Sequence, residues 1–127
     1  MIARVWAITL TVSDLERAIA FYEGKLGLVK KYRFSDYAGF DCGGVEIGVK
    51  TWGKLEGPRE GEPSVDLAVT DLDATYTELI AKGVTFEKEP HDLLWGARGA
   101  LFRDPDGNLL QLTQIDWRHY FGICASA

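Results

Sequence analysis

The stretch Leu10-Thr11-Val12-Ser13-Asp14-Leu15-Glu16 occurs a second time as Leu67-Ala68-Val69-Thr70-Asp71-Leu72-Asp73, at a constant offset of 57 residues. In each copy a run of alternating side-chain types ends at a hydroxyl residue followed by an acid. Apolar residues then recur every three or four positions. This pattern predicts a strand that leads directly into a helix. Ser13 and Thr70 are the predicted N-cap residues, because each has an acid three positions later. The chain is therefore predicted to be an internal duplication.

Three short β-type runs separated by turn residues follow each predicted helix. They span residues 28–34, 37–42 and 45–50 in the first half, and 84–88, 98–103 and 109–114 in the second. The last hairpin turns at Gly43-Gly44 in the first copy and at the Asp-Pro-Asp-Gly-Asn stretch 104–108 in the second. Each half thus reads as a βαβββ module, which places the fold in the α+β class. We expect a single domain over 1–127, with module one at about 1–52, a linker at about 53–62, module two at about 63–115 and a tail at 116–127.

Composition narrows the possible functions of the 127-residue chain. The chain is 46% hydrophobic and 26% charged, which is ordinary for a globular protein. Its formal net charge of −5 argues against a nucleic-acid surface, which requires clustered Lys and Arg. No apolar run approaches the roughly 20 residues of a membrane-spanning helix, and the start shows no signal-peptide pattern. We therefore expect a cytoplasmic protein with no nucleic-acid or membrane partner, in which Cys42 and Cys124 are free thiols.

Strand alternation separates the side chains of the predicted sheet into two rows. One row is apolar and is expected to pack under the helices; in the first strand it contains Trp6, Ile8, Leu10 and Val12. The opposite row is small and polar, which leaves room for a ligand. This second row, the predicted ligand cavity, contains Ala7, Thr9, Glu46, Gly48, Ser64, Asp66, Gln111 and Thr113.

Three stretches together resemble the vicinal oxygen chelate superfamily, which includes glyoxalase I, extradiol dioxygenases, and fosfomycin- and bleomycin-resistance proteins. They are Thr9-Leu10-Thr11-Val12-Ser13-Asp14-Leu15-Glu16-Arg17-Ala18-Ile19-Ala20-Phe21-Tyr22, then Gly27-Leu28, and finally Phe102-Arg103-Asp104-Pro105-Asp106-Gly107-Asn108. The resemblance extends over roughly residues 3 to 115. It implies two βαβββ modules forming a U-shaped, cup-like mixed sheet with the helices on the convex face.

The resemblance also implies where a metal would bind. Metal-using members take four ligands from the first and last strands of the modules, and the matching positions here are Ala7, Gly48, Ser64 and Gln111. None of these is the His or Glu that such a site needs, and Gln111 is at best a weak neutral ligand. We therefore predict a metal-free protein without a cofactor.

Two alternatives to the metal-free prediction remain open at this stage. A hard cation could bind a two-carboxylate site built from Glu46 and Asp66, which lie on the predicted cavity face. His91 and His119 could be relocated ligands, although they fall in a loop and in the tail and are better explained as loop or surface residues.

Metal-free members of the superfamily bind small molecules, as the bleomycin-resistance proteins do, and we expect the same here, with a drug or metabolite sequestered in the cavity. Glu46 and Asp66 favour a cationic or amine-bearing ligand. Neutralising either of them is expected to weaken binding of a positively charged ligand by roughly 1–3 kcal/mol and to leave fold stability level or slightly improved. Trp52 and Trp95 are candidate aromatic walls, and Arg98 is a further candidate because it lies near Trp95 in the sequence.

The sequence is also compatible with two functions other than ligand binding. The first is a glyoxalase-like lyase or isomerase, or a dioxygenase-type enzyme, using Glu46 or Asp66 as a general base or an atypical metal site. The second is a regulatory or subunit-type domain without turnover. A homodimer is also expected from the resemblance. The apolar C-terminal tail needs cover, from a partner or by folding back on its own chain; its apolar residues are Trp117, Tyr120, Phe121 and Ile123.

Overall fold

The computed structural model describes residues 1–126, apart from the side chain of Trp95. The strands are β1 (Ala7–Thr11), β2 (Val29–Arg33), β3 (Tyr37–Cys42), β4 (Val45–Lys50), β5 (Val65–Ala68), β6 (Phe86–Asp92), β7 (Arg98–Arg103) and β8 (Leu109–Gln114). The helices are α1 (Leu15–Ile19), which continues as a π-helical segment (Ala20–Lys25), α2 (Leu72–Ala81) and α3 (Trp117–Ser126); a 3₁₀ turn spans Leu94–Gly96. No helix among the described residues is both long enough and apolar enough to cross a bilayer.

Each module has a four-stranded mixed sheet, with strand order β1-β4-β3-β2 in the first and β5-β8-β7-β6 in the second. The first and last strands of each module pair in parallel, and the other neighbours pair antiparallel. This confirms the predicted α+β class and the two βαβββ modules. Strands β3, β4, β7 and β8 have the predicted bounds, whereas β6 begins and ends later than the predicted run 84–88.

The chain divides into two compact units that do not follow the sequence order strictly. The first contains Met1–Glu60 together with the turn Asp104–Asn108; the second contains Gly61–Arg103 and continues from Leu109 through α3. The turn between β7 and β8 thus belongs to the first unit, although both strands belong to the second.

The core of the first unit lies between α1 and one face of its sheet. The buried sheet residues on this face are Ala38, Phe40, Ile47 and Val49. The Tyr22 ring, which is fully buried, lies with its centroid 5.7 Å from that of Phe40. The predicted apolar row is wrong around the start of β1: Trp6, just before the strand, is 62% and Ile8 38% exposed, whereas Val12 is buried as expected. The α1 helix packs against β3 and β4. The residues at the beginning of the edge strand β1 are therefore not covered by the helix.

Both helix N-termini are capped one residue later than predicted. The N-cap residues are Asp14 and Asp71, whose side chains accept hydrogen bonds from the backbone N–H groups of Arg17 at 3.2 Å and Ala74 at 3.1 Å. Ser13 is free for another role, and its hydroxyl donates to Asp106 at 2.6 Å. An aspartate side chain satisfies the same orphan N–H groups and adds a charge that the helix dipole favours.

The turn 104–108 is fixed to the first unit by a buried carboxylate. Asp104 accepts hydrogen bonds from the Tyr22 hydroxyl at 2.7 Å, from the backbone N–H groups of Asp106 and Asn108, and from the Asn108 side chain at 2.8 Å. The Asn108 side chain also donates to the carbonyl of Thr11 at 2.9 Å. Burial and the neighbouring Asp104 raise the pKa of Tyr22 well above its ordinary value, so the phenol remains a donor. Asp104, which was predicted to form the turn, therefore also anchors the turn to Tyr22 of the first unit.

Tyr22→Phe is expected to lower the free energy of unfolding by about 1–2 kcal/mol, because the buried Asp104 carboxylate loses one of its donors. Urea denaturation followed by circular dichroism measures this loss. Tyr76→Phe is the matched control, because the Tyr76 side chain is also packed against an aromatic ring, that of Phe86. Equal stability of Tyr22→Phe and Tyr76→Phe would contradict the anchoring role.

In the second unit, α2 covers the β6, β7 and β8 strands through Leu72 and Leu79. The buried sheet residues beneath it include Ala100, Phe102 and Leu112.

Candidate functional site

Two glycines face each other on the side of the first sheet that α1 does not cover. Gly39 of β3 and Gly48 of β4 are register partners. A Cβ on Gly48 would lie 2.0 Å from the Tyr37 hydroxyl oxygen, and a Cβ on Gly39 would lie 2.8 Å from the Glu46 carboxyl carbon. Such distances are far inside van der Waals contact. The two glycines therefore make room for the Tyr37 and Glu46 side chains to lie over the sheet.

The Glu46 carboxylate is the centre of this face. Its side chain is only 1% exposed, yet each oxygen has a strong partner: Tyr32 donates to Oε1 and Tyr37 to Oε2, both at 2.6 Å. The Lys31 ammonium lies 3.3 Å from Oε1. A register shift between Lys30 and Tyr32 interrupts the β2–β3 ladder at Lys31. Lys31 and Tyr32 are thus adjacent residues that both reach Glu46.

The electrostatics of this cluster keep Glu46 charged. Burial by itself raises the pKa of Glu46, but the hydrogen bonds from Tyr32, Tyr37 and Lys31, with the Lys31 charge, outweigh it and hold the pKa below its ordinary value. The pKa of Tyr37 is raised by burial and by its bond to Glu46, while hydrogen bonding with Thr9 partly offsets the rise. The pKa of Tyr32 is also raised, mainly by its bond to Glu46. The cluster is a carboxylate held by protonated phenols.

Four aromatic rings continue from this cluster across the surface, and we call them the aromatic strip: Phe34, Tyr32, Tyr37 and Trp52. Neighbouring ring centroids are 5.5 Å apart for Tyr32 and Phe34, 6.1 Å for Tyr32 and Tyr37, and 6.2 Å for Tyr37 and Trp52. Phe34 is 61% and Trp52 51% exposed. Trp52, predicted as a cavity wall, therefore stands beside the Glu46 cluster and presents ring surface to solvent.

Two lysines accompany the strip. The Lys31 ammonium lies 5.8 Å from the Tyr32 ring centroid, and the Lys50 ammonium lies 5.5 Å from that of Trp52. Both distances are within cation–π range.

The predicted cavity residues of the first module lie on this one face. Ala7 is the register partner of Glu46 and Thr9 that of Gly48, across the parallel β1–β4 pair. Glu46 and Gly48 alternate along β4 on the same side.

The predicted residues of the second module form a more open cluster of their own. The Asp66 carboxylate accepts a hydrogen bond from Ser64 at 3.0 Å and one from the Gln111 amide at 3.2 Å, and Asp66 is exposed. Thr113, which follows Gln111 on the same side of β8, is buried, and its hydroxyl has no hydrogen-bond partner within the described part of the chain. Asp66 is therefore a solvated, hydrogen-bonded acid.

Arg98 does not belong with these residues. Its guanidinium donates to Asp73 of α2 at 3.1 Å and lies 3.7 Å from Asp92, so it faces the helix-covered side of the sheet. It pairs in register with Gln114, whose side chain accepts from the backbone N–H of Leu72 at the start of α2. The Trp95 side chain, predicted as the second aromatic wall, lies outside the described residues.

The four positions implied by the resemblance do not fit a metal. Ala7 and Gly48 carry no donor atom, and the space in which a side chain at 48 would begin is filled by the Tyr37 hydroxyl. Within residues 1–126, as far as their side chains are described, no three His, Cys, Asp or Glu side chains form a metal-binding group. The possible relocated ligands are engaged elsewhere: His91 bonds the carbonyl of Glu89, and His119 packs beside Gly96.

An open groove of about 710 Å³ also runs along α3. Its lining residues are Asp116, Arg118, His119, Gly122, Ile123 and Ser126. All of these described lining residues come from one helix and its first flanking residue.

Sequence reasoning missed the residues that hold Glu46, namely Lys31, Tyr32 and Tyr37. The sequence did contain a signal for Tyr37. Tyr37 and Gly39 are two residues apart on β3, whose boundaries were predicted correctly, so strand alternation places the large ring on the same side as the glycines. Tyr32 and Lys31 carried no such signal, because the register shift in β2 changes their faces.

Comparison with known proteins decides the family. Residues 4–112 match the model of the Glyoxalase/Bleomycin resistance protein/Dioxygenase superfamily. The chain belongs to this superfamily. The resemblance inferred from the sequence is thereby confirmed.

Similar proteins and structures support this membership. The chain is 36% identical to "Uncharacterized protein YraH" of Bacillus subtilis, over 85% of this chain and 95% of that protein. It is 31% identical to "Putative glyoxylase CFP32" of Mycobacterium tuberculosis, over 87% of this chain but only 43% of that protein. A superfamily member from Sphaerobacter thermophilus, solved as a crystal structure, has a TM-score of 0.76 and 31% identity, over 90% of this chain and 98% of that one.

Proposed function

We propose that this superfamily member is a metal-independent binding protein for a small molecule that carries a flat aromatic ring, a drug or metabolite that it sequesters. The observation that carries the proposal is the aromatic strip, laid over two facing glycines and fixed at its centre by the buried Glu46. Rings that are partly exposed and already fixed in place lose little conformational freedom when a ligand stacks on them.

The geometry gives less support to an enzyme that uses Glu46 as a general base. A base needs a pKa near the working pH and access to the substrate proton. The pKa of Glu46 is lowered, and both of its oxygens already accept phenolic hydrogen bonds. Asp66 is exposed and hydrogen-bonded to Ser64 and Gln111, so it is not enclosed in the water-excluded pocket that a carboxylate base usually occupies.

The test is ligand binding by calorimetry with 2-naphthalenemethanol, an uncharged aromatic probe. We expect Trp52→Ala to weaken binding by about tenfold, since one wall of the strip is lost. Trp6→Ala is the matched control, because Trp6 is 62% exposed against 51% for Trp52 and, directly before β1, alternates with Ala7 of the cavity face. Absence of binding to the native protein, or equal losses in the two variants, would contradict the proposal.

We expect the purified protein to contain no stoichiometric transition metal, because the ligand positions carry Ala7, Gly48, Ser64 and Gln111. Elemental analysis measures this directly. A chelator should leave the melting temperature unchanged, since no metal-binding free energy is lost. About one Zn, Ni, Mn or Fe per chain, removable by the chelator with a fall in melting temperature, would contradict the expectation.

We propose further that the chain forms a homodimer through α3. Its Trp117 and Phe121 side chains, one helical turn apart, are 50% and 62% exposed, and their rings stack on each other. A second copy of the same helix offers a self-complementary apolar partner. Sedimentation at micromolar concentration should give twice the 14.1 kDa chain mass. A species of 14.1 kDa in the native protein, indistinguishable from a Phe121→Glu variant, would end the proposal.

A further inference from the structure

The charges around the aromatic strip indicate what the ligand carries besides a ring. Glu46 is already neutralised: Lys31 lies 3.3 Å from its carboxylate, and two phenols donate to it. A cationic ligand would have to displace these partners from a side chain that is 1% exposed. The Glu46 carboxylate on which the sequence-based expectation of a cationic ligand rested is therefore already occupied.

Lys50 is placed differently. It is the last residue of β4 and the register partner of Tyr37, the residue at the middle of the strip. Its ammonium lies 5.5 Å from the Trp52 ring centroid. Among the described residues no carboxylate is within 4.0 Å of it, in contrast to Lys31. Lys50 is a half-buried residue, and an ammonium without a carboxylate partner is a ready donor for an anion that approaches along the strip.

The charged groups next to the rings are two ammonium groups, of Lys31 and Lys50, and one carboxylate, of Glu46. Their sum is one net positive charge. A ring stacked on Tyr37 and Trp52 would carry its substituent towards the Lys50 end. We propose that the ligand is an aromatic acid, whose carboxylate is bound by Lys50 while its ring lies on the aromatic strip. This inference rests on the proposed function, because it assigns the charge of the ligand that the strip binds.

The test compares three probes that share one ring system: 2-naphthoate, 2-naphthalenemethanol and 2-naphthylmethylammonium. Calorimetric titration at neutral pH and low salt should give a dissociation constant for 2-naphthoate at least tenfold below that of the alcohol. Lys50→Met, which keeps most of the side-chain stem, should raise the 2-naphthoate dissociation constant at least fivefold and change that of the alcohol less than twofold. Lys54→Met is the matched control, because it removes the same charge from the exposed linker nearby.

Each other result has a definite meaning. Tightest binding of the ammonium probe would overturn the inference and restore the cationic ligand. Equal binding of all three probes would overturn it while leaving the proposed function intact. Equal losses of 2-naphthoate affinity in Lys50→Met and Lys54→Met would show general attraction and overturn the role of Lys50. Failure of every probe to bind would remove both the inference and the proposed function.

Discussion

Glu46→Leu is expected to lower the free energy of unfolding by about 3–5 kcal/mol at neutral pH, the usual loss when one partner of a buried charged cluster is removed. The leucine leaves the hydroxyls of Tyr32 and Tyr37 without their acceptor, and Lys31 without its counter-ion. Glu46→Gln should cost less, about 1–2 kcal/mol, because an amide oxygen can still accept one phenolic hydrogen bond. Urea denaturation measures both losses.

Glu23→Gln is the control for the loss of charge, since Glu23 is exposed in the π-helical segment, and its effect should stay within about 0.5 kcal/mol. The expectation from the sequence was the opposite, namely level or slightly improved stability after neutralisation of Glu46. That expectation assumed a buried charge without a partner, whereas the structure gives the charge three partners. Native-like stability of Glu46→Leu would show that the cluster contributes nothing to the fold.

The pH dependence of this loss provides a second readout. The folded-state pKa of Glu46 is lower than its ordinary value of 4.5. A group with a depressed folded pKa contributes stability that is fully present above the unfolded pKa and disappears as the pH falls through the folded pKa. The stability difference between native protein and Glu46→Gln should therefore be constant from pH 7 to above 4.5 and shrink below it. A purely steric effect of the substitution would not change with pH.

Local sequence patterns were sufficient for the modules but not for the packing of side chains on them. The repeat and the glycine turns depend on neighbouring residues, and they gave four strands with correct bounds. The capping residue was misplaced because Ser13 donates to Asp106, 93 residues away, a partner that the local pattern does not contain. Trp6 and Ile8 were assigned by parity to the covered face, but parity does not say how far a helix extends over an edge strand.

In the candidate site, too, local patterns predicted the faces of the strands but not the packing of the side chains on them. Alternation placed Glu46 and Gly48 on one face correctly, since a strand has a fixed period of two. It could not show that Tyr37 fills the space above Gly48, because that depends on a ring reaching across the strand pair. The proposed ligand therefore differs in charge from the cationic one expected from the sequence, because Lys31 and Lys50 lie beside the rings.

Gly48→Ala is expected to lower the free energy of unfolding by about 3 kcal/mol, which is large for the addition of one methyl group. The new Cβ would lie 2.0 Å from the Tyr37 hydroxyl oxygen and 2.6 Å from the adjacent ring carbon. The ring must move, at a cost typical of overpacking, and its 2.6 Å hydrogen bond to Glu46 is strained or lost. Gly24→Ala is the matched control, because a Cβ on Gly24 meets nothing within 4 Å. Urea denaturation measures both variants.

A double-mutant cycle with Tyr37→Ala separates this steric conflict from any effect on the backbone. Gly48→Ala should be costly in the native background and nearly neutral once the Tyr37 ring is gone, giving a coupling energy of about 2–3 kcal/mol. Additive losses would mean that Gly48 is required for a backbone reason and that Tyr37 is incidental. Strong coupling would show that the Tyr37 ring and a side chain at position 48 exclude each other. A metal ligand at that position would then require the loss of Tyr37, and with it part of the hydrogen bonding that holds Glu46 beneath the aromatic strip.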